Sequence, residues 1–199
     1  VLFGHSMGSF LTRTYLIKHP DKYDGVILSG TGHQSPALVL GGNAAASVMA
    51  KLNGAMGDGT KLDSLAFGTY LSKIENPRTK FDWLSRDAEQ VDKYNADPLC
   101  GFVGKIGLYR DMMQGIKFIT NENNIAQMNK EKPVYFMSGD GDPVGDYGKG
   151  VERAYKAFCD AGLHDVFMRL YPGGRHEMLN ETNKEQVYQD ILSWLNEKI

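Results

Sequence analysis

Val1-Leu2-Phe3-Gly4-His5-Ser6-Met7-Gly8-Ser9-Phe10 opens the chain and decides how the rest is read. An apolar run enters a glycine-flanked serine, and a helical pattern leaves it. Gly4-His5-Ser6-Met7-Gly8 matches G-x-S-x-G, in which the serine sits on a strained strand-to-helix turn. Bulky residues two positions either side are expected to clash, hence glycines at both. The turn pushes the Ser6 hydroxyl into the open. It also aims the Met7 amide N–H and the positive end of the next helix at negative charge developing on a bound group. Val1-Leu2-Phe3 reads as the end of a buried strand, which needs neighbours on both sides. An N-terminal portion is therefore expected ahead of Val1.

Outward from the elbow, Gly8 to His19 reads as a helix with apolar Phe10, Leu11, Tyr15 and Leu16 on a rough 3.6-residue period. Pro20-Asp21 ends it, and Val26 to Gly30 suits a buried parallel strand. From His33 to Asn129 no strong strand signal appears. Ala37–Met56 is rich in Ala, Gly, Val, Leu and Met, Trp83–Tyr94 carries Asp and Ser starts, and Lys61–Ile74 and Gly107–Thr120 read as helices, with breaker clusters between them. Strands resume at Val134–Ser138 and Val166–Tyr171, with a helix over Gly148–Ala161 between them. A closing helix over Gln186–Ile199 shows Val187, Ile191, Leu192 and Leu195 on one face. The pattern β-α-β, helical insertion, β-α-β-α implies an α/β fold with a mainly parallel sheet and helices on both faces. Residues 1–32 and 130–199 read as the core, and 33–129 as a helical cap.

The 199 residues carry a net charge of -2, so no global field attracts nucleic acid or anionic lipid. No stretch approaches the ~20 apolar residues of a membrane span, so no stable membrane insertion is expected. Cys100 and Cys159 are too few for a disulfide framework and read as free thiols of a reducing compartment, hence a cytoplasmic expectation. Nothing in the pattern specifies an oligomeric state.

A serine nucleophile needs a base. Of five histidines, His5 adjoins Ser6 on a sharp turn and should point away from it. His19 sits at a helix end, and His164 on a surface turn. His33 begins the insertion and could line a pocket. His176 lies in Pro172-Gly173-Gly174-Arg175-His176, directly after the last strand and at the end of the sheet where ligands bind. It is the preferred base. An acid must orient the imidazole. Asp140, Asp142 and Asp146 crowd the loop after Val134–Ser138. Asp142, stiffened by Pro143, is preferred and Asp140 comes second, while Asp146 reads as a turn former. Asp140-Gly141-Asp142 imitates a calcium loop, but Val144 and Val151 occupy ligand positions. His176-Glu177 imitates H-E-x-x-H, but Asn180 replaces the second histidine. No metal and no cofactor are expected.

Gly4-His5-Ser6-Met7-Gly8-Ser9, Gly139-Asp140-Gly141-Asp142-Pro143-Val144-Gly145 and Tyr171-Pro172-Gly173-Gly174-Arg175-His176-Glu177 resemble the monoacylglycerol lipase and lysophospholipase-like α/β hydrolases, near the serine-aminopeptidase-like group. Trp83 to Asp87 and Asp97-Pro98-Leu99-Cys100 resemble the cap of bacterial members. The resemblance implies the α/β-hydrolase fold, Ser6 as nucleophile, Asp142 as acid, His176 as base and the Met7 amide as one oxyanion donor. It also implies a second donor from a His-Gly loop ahead of the elbow. No such loop occurs here, and about 100 preceding residues are expected, since single α/β domains commonly run ~200–250 residues.

The implied function is hydrolysis of a small-molecule ester or lipid, such as a monoacylglycerol or lysophospholipid, through an acyl-enzyme. Leu38, Val39, Leu40, Val48, Met49, Leu52, Met56, Leu65 and Phe67 could line an acyl site or pack the cap on the core. Two alternatives stand beside this reading. One is an aminopeptidase of the proline iminopeptidase type, using cap carboxylates Asp87, Glu89, Asp92 or Asp97. The other is a non-catalytic binding protein on the same fold.

Overall fold

The computed structural model describes residues 1–199. Strand β1 (Leu2–His5) leads through Ser6 into α1 (Met7–Lys18), and β2 (Val26–Ser29) follows. Five helices come next: α2 (Pro36–Asn53), α3 (Thr60–Phe67), α4 (Ala88–Ala96), α5 (Ile106–Ile119) and α6 (Glu122–Ile125). The chain then returns through β3 (Val134–Gly139), α7 (Lys149–Asp160), β4 (Val166–Tyr171) and α8 (Lys184–Lys198). The sheet order is β1-β2-β3-β4, and every pairing is parallel. All strand exits therefore share one rim.

Alternation along β2 and β3 builds two cores. Val26, Leu28, Val134 and Phe136 face one side, where Leu16 and Ile17 of α1 and Val151, Ala154 and Phe158 of α7 cover them. Ile27, Tyr135 and Met137 face the other side, against Val187 and Trp194 of α8. Strand β3 is buried along its whole length, which explains its unbroken apolar run. A smaller cluster of Ala46, Leu62, Ile106 and Tyr109 joins α2, α3 and α5. Ile119, Ile125 and Met128, late in the insertion, pack into the sheet's own core.

Several local readings change. Helix α1 buries Ser9, Arg13, Leu16 and Ile17, whereas Leu11 is 63% exposed and Tyr15 also faces outward. On α8 the buried pair is Val187 and Trp194, and Leu192 is exposed. Trp83–Asp87 is not helical; α4 begins only after Asp87, whose carboxylate accepts the Glu89 and Gln90 amides. Helix α3 ends at Phe67 rather than running on to Ile74. Short α6, capped by Asn121, carries too few residues to show a period. Of the apolar residues named above as an acyl lining, Val39 is buried, while Leu38, Leu40, Val48, Leu52, Met56 and Leu65 face solvent.

Arg13 is the least apolar of the fully buried large side chains. Its guanidinium donates to the Gly32 carbonyl at 2.7 Å and to the Ile119 carbonyl at 3.2 Å, tying α1 to the β2 exit and to the end of α5. It also lies over the Phe158 ring. Burial pulls it down to about 9, so it stays charged at neutral pH. Arg13→Ala leaves two carbonyls unpaired around a cavity. We expect a loss of about 2–5 kcal/mol in denaturant unfolding.

Candidate active site

The elbow is strained as its sequence requires. Ser6 has φ 54° and ψ -125°, a region costing a non-glycine residue of order 1–3 kcal/mol. Two contacts hold it there. The Ser6 amide donates to the Ser29 carbonyl at 2.9 Å, and the buried Ser9 hydroxyl donates to the Ser6 carbonyl at 2.6 Å. Sequence reading missed Ser9; its only signal was a small polar residue on the buried face of α1. A Cβ on Gly4 would lie 2.4 Å from Thr12 Oγ1 and 2.8 Å from the Gly8 carbonyl oxygen. The clash argument therefore holds for Gly4. It does not hold for Gly8, beside which nothing lies within 4 Å.

The acid loop leaves β3 at the same rim. Asp142 is fully buried, and its Oδ1 accepts the Val144 amide at 2.9 Å. Oδ2 stands 2.9 Å from His176 Nδ1 and accepts a longer 3.3 Å bond from Ser138. Because a carboxylate oxygen accepts, Nδ1 is the donor of this bond, which leaves Nε2 on the far side of the ring. Asp140 instead accepts the Gly173 amide at 2.6 Å, bracing one chemical loop against the other. Asp146 pairs with Arg153 from a left-handed turn.

His176 is 2% exposed. Its ring packs on His5 at 4.7 Å between centroids and on Trp83, from the segment between β2 and β3, at 5.1 Å. Trp83 in turn meets Tyr70 and Phe67. The Ser6 hydroxyl caps nothing and forms no hydrogen bond with the imidazole, whose hydrogen bond goes to Asp142. Such bonds are commonly long before substrate arrives. Backbone pairing links the two residues indirectly: Ser6 bonds Ser29, and the next residue, Gly30, abuts the His176 ring.

The other histidines separate cleanly. His5 turns from the serine toward Ser29 Oγ, 3.1 Å from its Nδ1. Burial lowers His5 to about 4; His176 adds to the shift and Asp142 opposes it. His33 bonds neither Ser6, Asp142 nor His176, and its buried Nδ1 has no partner. It too is lowered to about 4, by burial and then by Arg13 and Arg153. His19 packs on Tyr15, and His164 is exposed near Glu131. No group of three His, Cys, Asp or Glu side chains is arranged to hold a metal ion. No helix is long and apolar enough to cross a membrane.

The family model described as serine aminopeptidase, S33 (Hydrolase_4) matches residues 1–183. The chain belongs to this family. Among curated relatives, a monoacylglycerol lipase of Mycolicibacterium smegmatis is 28% identical over 98% of the chain and 61% of its own length. A mouse monoglyceride lipase is 27% identical, covering all of this chain and 58% of its own. A thermostable carboxyl esterase from Bacillus coagulans, solved with glycerol, superposes with a TM-score of 0.89 at 31% identity, over 98% of this chain and 64% of the esterase. A monoglyceride lipase from Saccharomyces cerevisiae gives 0.72 at 26%, over 99% and 64%. The fold is that of the α/β hydrolases, and the chain is similar to their monoacylglycerol lipase branch. It spans about three fifths of the length of the curated relatives it matches.

Two outcomes test the packing of this site. A Cβ at Gly30, whose φ is +56°, would lie 2.8 and 2.9 Å from His176 Cε1 and Nδ1. Gly30→Ala should therefore lower unfolding stability by about 1–3 kcal/mol. His5 and His33 are neutral in the fold but protonate near the ordinary 6.5 when unfolded. Their contribution is complete above pH ~6.5 and is lost as pH falls toward 4. The urea midpoint should decline over that window, and less steeply in His33→Gln.

Proposed function

We propose that the chain is the catalytic core of a serine hydrolase acting on carboxylic esters, with Ser6 as nucleophile, His176 as base, Asp142 as acid and the Met7 amide as one oxyanion donor. The single observation that carries this reading is the buried Asp142–His176 hydrogen bond, whose imidazole abuts Gly30, the residue after the Ser29 carbonyl that anchors the strained backbone of Ser6. His176 Nε2 takes the Ser6 proton, and Oγ attacks the ester carbonyl. The tetrahedral oxyanion draws on the Met7 N–H, one of the first-turn donors that a helix leaves unpaired. Its collapse expels the alcohol, which takes the proton from the imidazolium, and leaves an acyl-serine. Water, losing a proton to His176, then attacks the acyl carbon, and collapse releases the acid as Ser6 Oγ takes that proton back from the imidazolium. Throughout, Asp142 stabilises the imidazolium and holds its tautomer.

The names of the relatives support esters of the monoacylglycerol class. Residues 33–129 serve as the cap over this site, and a cytoplasmic location suits the two free thiols. The aminopeptidase reading needs a carboxylate for the substrate amine. Those named for it are otherwise engaged: Asp92 with Arg78, Glu89 with Lys93, Asp87 as helix cap, and Asp97 on the Leu99 amide. That favours esters over peptides.

A panel of esters of graded acyl length, run beside amino-acid arylamides on the intact protein, tests the substrate class. Turnover of esters is expected; turnover of arylamides alone would replace it with the peptidase reading. A fluorophosphonate probe should label the protein and fail on Ser6→Ala, whose turnover should drop on the order of 10⁶-fold. Absence of labelling in the intact protein would point to the non-catalytic binding protein.

A further inference from the structure

Trp83 to Asp87 has no regular structure, yet it lies bonded along the histidine loop for most of its length. The Glu177 amide donates to the Leu84 carbonyl at 2.7 Å, and the His176 amide reaches the Trp83 carbonyl at 3.4 Å. Arg175 Nη1 donates to the carbonyls of Asp82 and Ser85, at 2.6 and 3.0 Å. The Ser85 hydroxyl donates to the Asn180 carbonyl.

The centre of this strap is Glu181, whose side chain is fully buried. Its Oε1 accepts the backbone amides of Arg86 and Arg175, at 2.9 and 3.0 Å. Oε2 accepts Arg86 Nε at 2.9 Å and the Thr182 amide at 2.8 Å. One carboxylate thus bonds the residue immediately before His176 and, on the cap, the backbone and guanidinium of Arg86. Burying a carboxylate is costly unless charge and hydrogen bonds compensate it, and here both do. Neither triad chemistry nor sheet packing needs the group. What it holds together is the loop bearing His176 and the cap segment bearing Trp83, whose ring lies against the imidazole.

We infer that Glu181, through its bonds to Arg86 and to the Arg175 amide, is a positioning residue that sets the orientation of His176 by strapping cap segment 82–86 to the histidine loop. This rests on the reading of His176 as base. With the strap in place, the imidazole is boxed between Trp83, His5 and the backbone of Gly30. Without it, the tie between the Arg175 amide and Arg86 is lost, and the wall that Trp83 gives the imidazole rests on the remaining bonds between the two segments. A displacement near 1 Å at a catalytic group can cost on the order of 10² in rate. Glu181 is inaccessible to substrate, so its loss should act on turnover rather than on binding.

The test uses the intact protein, a short-chain p-nitrophenyl ester, and Glu181→Gln, Arg86→Gln and the double variant. Each single variant should lower kcat by at least about tenfold, with KM within about threefold. The double should be no worse than about the poorer single, because the two act as one unit. The downfield proton resonance of His176 Nδ1–H should broaden or shift in parallel. A folded Glu181→Gln or Arg86→Gln with wild-type kcat overturns the inference. So does a kcat loss that leaves that resonance unmoved, since that marks general loosening. If Glu181→Gln does not fold, Arg86→Gln alone decides. His176→Ala, assayed alongside, separates the two claims. Activity surviving in it removes the triad reading, whereas an inactive His176→Ala beside a wild-type Glu181→Gln removes only the strap.

Discussion

Four strands hydrogen-bonded in parallel register are the constraint on which the site depends. Parallel pairing forces every strand to leave at the same rim, so the serine turn after β1, the glycine turn after β2, the acid loop after β3 and the histidine loop after β4 meet there. The ladder also sets the spacing between neighbours. His5 lies opposite Ser29, Ser29 opposite Met137, and Gly139 opposite Tyr171. Residues more than a hundred positions apart can therefore share one hydrogen bond without any long-range device other than the sheet.

Buried polar groups do the remaining alignment, each held in a different way. Asp142 is held by a local turn and an imidazole, Glu181 by amides and a guanidinium, and Arg13 by two carbonyls and the Phe158 ring. In a low-dielectric interior each such group is costly when unpaired, so its partners cannot drift far without penalty. That stiffness suits a site in which a ring must face two directions at once, toward an acceptor on one side and toward the proposed nucleophile on the other. The helical segment between β2 and β3 takes part in it. Trp83 and Arg86 belong to the insertion, yet they define the walls and the footing of the histidine loop.

Much of this was legible from short-range signals. Glycine, proline and aspartate punctuation marked the loops after β3 and β4, and unbroken apolar runs marked the buried strands. A conformation as unusual as that of Ser6 leaves a trace in its neighbours, and Gly4 shows it directly through the Thr12 contact. Faces of helices were less legible. Leu11, Tyr15 and Leu192 fit an apolar period but lie outward, while Arg13 and Ser9 are buried, because a period gives spacing and says nothing of which side a neighbour occupies. The cap was least legible. Its segment 82–86 has no period, and its partners lie about ninety residues away.

The sequence by itself determined the order of strands and helices, the serine turn, and the short set of acids and bases from which a site could be drawn, because backbone propensity and turn chemistry act over a few residues. Only the tertiary structure decided that Asp142 rather than Asp140 meets His176, that His5 turns toward Ser29, and that Glu181 joins cap to loop. Those choices depend on distances set by sheet register and burial, which arise only once remote segments pack together.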